Sequence, residues 1–121
     1  MTNNMETQPL PESGRRIAVL GEMLELGPGA GDAHWKVGQM AGEYGADLVI
    51  AVGQTMAKVL ALGAADAGVT AAVVPDNETA VTVLNQELRP GDVVIIKGSR
   101  GGMRWQIAQR LTGQDVTGIL S

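Results

Sequence analysis

Residues 16–21, Arg-Ile-Ala-Val-Leu-Gly, form an apolar run that does not alternate with polar side chains and that ends on a glycine. Runs of the same kind recur at residues 48–52 (LVIAV), 71–74 (AAVV) and 93–96 (VVII). A strand that is apolar at every position is buried on both faces, the condition of a parallel sheet covered by helices. The intervening segments carry helical spacing. After Asp32, read as an N-cap, Val37, Met40, Ala41 and Tyr44 repeat at i, i+3, i+4, i+7. That face is expected to meet the sheet, with Gly45 ending the helix and Asp47 beyond it. A second helix over about residues 54–67 presents Met56, Leu60, Gly63 and Ala67. A third begins near Asp76 or Asn77, presents Ala80, Leu84 and Leu88, and stops before Pro90-Gly91. A fourth, over about residues 103–111, carries Met103, Ile107 and Leu111 on one side. Strand and helix in alternation predict an α/β fold: an open, mainly parallel sheet with right-handed crossovers.

The chain has 121 residues, enough for one domain. Residues 1–14 hold two prolines and small polar side chains and read as a flexible lead-in. The domain is expected over residues 15–113, and residues 114–121 are either an edge strand or a loose tail. Hydrophobic residues make up 45% and charged residues 18%, which supports a packed core and excludes a disordered chain. Nine Lys+Arg against thirteen Asp+Glu give a net charge of −4, unsuited to a broad nucleic-acid-binding face. With no cysteine and a single histidine, neither thiolate chemistry nor a structural zinc site can be assembled. No apolar stretch approaches the roughly 20 residues of a membrane span. No membrane insertion is therefore expected, and a cytoplasmic location is the default.

Ligands of open α/β sheets gather beyond the carboxyl ends of the strands. Four segments lie there: residues 21–31, 53–54, 75–77 and 97–102. Lys97-Gly98-Ser99-Arg100-Gly101-Gly102 leaves the last strand and leads into the fourth helix. Glycine amides, a helix N-terminus and two cations suit phosphate or carboxylate, although a plain glycine-rich connection has the same composition. The order is not that of a Walker A loop, where Lys follows the glycines. Residues 21–31 place Glu22 and Glu25 where a dinucleotide fingerprint needs bare glycines, so that cofactor is not expected. Their carboxylates either meet a cation or a substrate ammonium, or face solvent. His34, near the start of the first helix, is either a neutral hydrogen-bonding imidazole near the ligand edge or a surface residue. It has no partners at triad spacing. Trp105 falls off the apolar stripe of the fourth helix and is either a contact surface or a cover for the tail.

Four ordered blocks, residues 16–21 (RIAVLG), 22–27 (EMLELG), 34–38 (HWKVG) and 97–100 (KGSR), resemble the C-terminal domain of the Mur ligases. The likeness covers about residues 15–112, and within that family it is similar to members that add D-alanyl-D-alanine to UDP-N-acetylmuramoyl tripeptide. The resemblance implies a Rossmann-like fold and a place in peptidoglycan precursor synthesis. It also implies an enzyme using ATP and Mg2+, in which an acyl phosphate is attacked by the dipeptide amine. Lys97, Ser99 and Arg100 would then lie at a cleft rim and meet phosphate or the dipeptide carboxylate. Glu22 would face the incoming ammonium, and His34 would orient a neighbour. The partners implied are the N-terminal and central ligase domains, in cis or in trans, together with the UDP-muramoyl peptide and D-Ala-D-Ala. No phosphate loop, carbamylated lysine or magnesium ligands of such an enzyme are present here, so negligible activity is expected of the chain alone. The family's Asn-Ala-Asn-Pro segment is absent, and Arg104 stands where the family usually carries Glu. The alternative is a noncatalytic α/β binding or protein-interaction module derived from such a ligase.

Overall fold

The computed structural model describes residues 14–23 and 27–97. Four strands, β1 (Arg16–Gly21), β2 (Leu48–Val52), β3 (Thr70–Val74) and β4 (Val93–Lys97), alternate with helices α1 (Ala30–Tyr44), α2 (Thr55–Asp66) and α3 (Asn77–Glu87). All pair in parallel, in the order β3-β2-β1-β4. The result is the expected Rossmann-like parallel sheet with flanking helices. The strands fall within a residue of the apolar runs, because both faces of each central strand are buried. The fourth helix, Trp105 and the tail lie outside the described residues.

The two faces of the sheet build separate cores. On one, Ile17, Val19, Ile50, Val52, Val94 and Ile96 pack with Ala80, Val81 and Leu84 of α3. On the other, Ala18, Val49 and Ala51 pack with Ala41 of α1 and with Ala57, Leu60 and Ala64 of α2. Small side chains there let α1 and α2 sit close to the sheet and to each other.

Two helix expectations are corrected. Asp32 is not the N-cap of α1: Gly29 is, without a side-chain cap, and Asp32 lies in the first turn, where its charge still complements the helix dipole. Of the expected sheet-facing stripe, Ala41 is buried and Val37, half-buried, packs against that core, but Met40 and Tyr44 do not bury against the sheet. The buried residues of α1 are His34, Gly38 and Ala41, while Met40 is 60% and Tyr44 41% exposed. The cause is contact with α2, which turns the helix onto its small residues. A Cβ on Gly38 would overlap the Leu60 carbonyl oxygen and come within 2.5 Å of the Ala64 nitrogen. Val37, Met40 and Tyr44 border an open apolar groove of about 610 Å³, floored by Ala18, Leu20 and Ile95. On α2, likewise, Leu60 and Gly63 are buried as expected, but Ala67 is exposed and Ala57, Ala61 and Ala64 complete the packed face.

Termini of the other elements follow local rules. Gly45 closes α1 in the left-handed conformation at φ 91°. Asp76 caps α3 by accepting the Thr79 N–H at 2.7 Å, and this bond to its charged form holds the carboxyl below the usual carboxylate range. At the amino edge of the sheet, buried Asp92 accepts the Arg15 backbone N–H at 3.2 Å, the Arg15 guanidinium at 2.8 Å and the Arg89 N–H at 3.0 Å. These bonds join the start of β1 to the turn before β4.

Candidate functional site at the carboxyl edge

The parallel register brings the ends of β1, β2 and β4 to one edge. Leu20 pairs with Lys97 and Gly21 with Val52. One step further, the Glu22 N–H donates to the Val52 carbonyl at 3.0 Å, and the Gly53 N–H donates to the Val74 carbonyl at 2.9 Å. Lys97, exposed at the end of β4, is thus a neighbour of the strand that delivers Glu22.

Glu22 is half-buried, not free in solvent, and its side chain lies across Gly53. A Cβ at position 53 would stand 2.5 Å from Glu22 Cδ and 2.8 Å from Oε2. Gly53 also has φ +143°, outside the range that side chains favour. A bare backbone at the end of β2 therefore forms the platform on which the carboxylate rests. Sequence reading placed Gly53 at the ligand edge without this role; a glycine directly after a buried strand was the available signal.

His34 is fully buried in the first turns of α1. Its Nε2 lies 2.8 Å from the Met23 nitrogen and its Nδ1 2.6 Å from the Ala30 carbonyl oxygen. The surface alternative for His34 is thereby excluded, and both ring nitrogens meet backbone atoms. Ser99, Arg100 and Glu25 lie outside the described residues; of the rest, His34 meets the residue that follows Glu22, and Lys97 ends the strand beside β1.

Among the described residues no three His, Asp or Glu side chains converge as metal ligands. The edge offers one carboxylate on a glycine platform and one exposed ammonium. That pair can receive a cationic and an anionic group, respectively, but it cannot by itself hold Mg2+ with a triphosphate.

A family model described as "Mur ligase, glutamate ligase domain" matches residues 3–100, more than half of the chain. The chain belongs to the Mur ligase family, as its C-terminal domain. Curated relatives bear the name UDP-N-acetylmuramoyl-tripeptide–D-alanyl-D-alanine ligase. The one from Mycobacterium bovis (strain ATCC BAA-935 / AF2122/97) is 35% identical over 125 aligned positions, covering 89% of this chain and 24% of the relative. The one from Mycobacterium leprae (strain TN) is 35% identical over 112 positions, covering 89% and 22%. The Mur ligase domain described here thus spans about a quarter of those proteins. A crystal structure of MurF from Acinetobacter baumannii superposes with a TM-score of 0.66 at 21% identity, over 83% of this chain and 22% of that one, and shows the shared fold.

Proposed function

We propose that this chain is the C-terminal module of an ATP-dependent amide-bond ligase that adds D-alanyl-D-alanine to UDP-N-acetylmuramoyl tripeptide during cytoplasmic synthesis of peptidoglycan precursors. The observation that carries this reading is the carboxyl edge, where Glu22 rests on Gly53 and Lys97 ends the neighbouring strand. The names of the curated relatives supply the substrates.

In such a reaction a carboxylate oxygen takes the terminal phosphoryl group of ATP, giving an acyl phosphate and ADP. The dipeptide amine then attacks the acyl carbon, inorganic phosphate departs, and the nitrogen loses a proton. Magnesium, held outside the described residues, would neutralise phosphate charge. The part assigned to this chain is positioning. Glu22 receives the dipeptide ammonium before its deprotonation, while Lys97, with Ser99 and Arg100 beyond it, meets phosphate or the dipeptide carboxylate. The N-terminal and central ligase domains, in cis or in trans, supply the phosphate loop and the UDP-substrate site.

The test is ligase turnover with UDP-muramoyl tripeptide, D-Ala-D-Ala, ATP and Mg2+, for the chain alone and mixed with the N-terminal and central domains of a relative. Turnover only in the mixture, sharply lowered by Lys97→Ala, is the expected result. No turnover despite folded components would favour a noncatalytic interaction module instead, and the apolar groove between α1 and β4 would be its contact face.

A further inference from the structure

His34 is a buried titratable group that the reaction scheme leaves without a part. A backbone N–H can only donate and a carbonyl can only accept. Nε2, facing the Met23 N–H at 2.8 Å, is therefore the acceptor, and Nδ1, facing the Ala30 carbonyl at 2.6 Å, carries the proton. The geometry fixes a neutral imidazole in one tautomer, since an imidazolium has no lone pair for Met23.

Ala30 lies one turn upstream in α1, so the ring is braced on its own helix. That helix is in turn locked to α2 through Gly38, one turn downstream. Two successive amides after β1 are thus held by two different elements. Glu22 N–H is bonded to β2 through Val52, and Met23 N–H to α1 through His34. The side chain that leaves the backbone between those bonds is Glu22, lying on Gly53.

We propose that His34 is a positioning residue: as the Nδ1–H imidazole it holds the Met23 amide, and thereby keeps the Glu22 carboxylate on Gly53 at the carboxyl edge. The consequence for substrate binding rests on the reading of Glu22 as the ammonium contact, whereas the positioning itself does not. His34 is fully buried with both ring nitrogens engaged by backbone atoms. Its Nε2 stands the same number of bonds from Cα as Oε1 of glutamine, so His34→Gln restores the acceptor, while His34→Leu keeps bulk and removes it.

The experiment uses the isotopically labelled 121-residue chain as wild type, His34→Gln and His34→Leu. Three NMR readouts are taken: the imidazole tautomer from long-range 1H–15N spectra, the nuclear Overhauser contact between Glu22 Hγ and Gly53 Hα, and hydrogen exchange at the Met23 amide. The wild type should show the Nδ1–H tautomer and the 22–53 contact. His34→Gln should retain that contact, and His34→Leu should lose it with Met23 exchanging about tenfold faster. An Nε2–H tautomer in the wild type, or a 22–53 contact that survives in folded His34→Leu, overturns the proposal. If His34→Leu does not fold, the wild-type tautomer and the His34→Gln contact decide.

In the reconstituted ligase, His34→Leu should raise KM for D-Ala-D-Ala about tenfold, with recovery in His34→Gln and no change in KM for ATP. A Glu22→Gln variant separates the two ideas. If it leaves KM for the dipeptide unchanged, the ammonium reading of Glu22 fails while the NMR result still judges the positioning. If it raises that KM and His34→Leu does not, the positioning proposal fails.

Discussion

Gly38 of α1 faces the Leu60 carbonyl oxygen of α2 so closely that no side chain fits between them. Gly63 makes the reciprocal approach to the Trp35 backbone, so the two helices meet through bare backbone at two points. His34 and Gly38 stand at i and i+4 on the buried face of α1. The His-x-x-Val-Gly block that marks the family likeness is thus a packing device at both ends: the histidine accepts the Met23 N–H just after β1, and the glycine admits α2.

Gly38→Ala tests that contact against helix propensity. Alanine would favour an unpacked helix by about 1 kcal/mol. Overpacking costs typically about 1–3 kcal/mol, and here the neighbours are backbone atoms that cannot rotate away. The variant should therefore lose about 1–2 kcal/mol or more in urea unfolding, with a lower midpoint. A gain in stability would mean that α1 and α2 do not approach as described.

The sheet was legible because continuous apolar runs have few other uses in a chain of this length. The packing face of α1 was legible only at Val37 and Ala41, since glycine and a buried histidine carry no hydrophobic signal and Met40 and Tyr44 imitate one. The candidate site was legible in part. Glu22, Lys97 and His34 were singled out at the strand ends, but whether Glu22 met solvent or protein depended on Gly53, 31 positions away in sequence and adjacent only through the β1–β2 pairing.

The same contrast yields a stability prediction. Met40, 60% exposed beside the groove, should accept Met40→Gln at a cost within about 0.5 kcal/mol. Leu60, fully buried beneath α1, should lose about 2–5 kcal/mol as Leu60→Ala. Equal costs in denaturant unfolding would restore the sheet-facing role of Met40.

Asp92→Ala removes the acceptor shared by Arg15 and Arg89 at the amino edge of the sheet. Deleting one member of a buried pair costs about 3–5 kcal/mol, and the partial exposure of Arg15 reduces this to about 2–4 kcal/mol. The bond to Asp92 raises the Arg15 guanidinium pKa above its ordinary value. Its stabilisation is fully present below the unfolded value and lost only as pH rises through the folded one. The penalty measured by denaturation should therefore be the same at pH 7 and pH 9.

Asp76 supplies an acid-side prediction. Its folded pKa is depressed by the Thr79 hydrogen bond, so between that value and the unfolded one the unfolded chain binds more protons. The cap's contribution is present above the unfolded value and is lost as pH falls through the folded one. Asparagine caps as well but does not titrate. Asp76→Asn should consequently match the wild type near neutrality and show a shallower loss of thermal stability on acidification. Parallel melting-temperature curves below pH 5 would remove Asp76 as a source of the acid dependence.

Glu22 and Gly53 can be coupled by a double-mutant cycle. Gly53→Ala alone adds a Cβ that overlaps the Glu22 carboxylate and strains a residue at φ +143°, for a combined cost of about 1–3 kcal/mol. In an Glu22→Ala background the overlap disappears and only the backbone strain remains, because alanine has no atoms beyond Cβ to occupy the platform. The cost of Gly53→Ala should then fall by about 1 kcal/mol, and that difference is the coupling energy between the two positions. Additive costs would mean that the Glu22 side chain does not rest on Gly53 in solution, and the carboxylate would have to be assigned another place at the edge of the sheet.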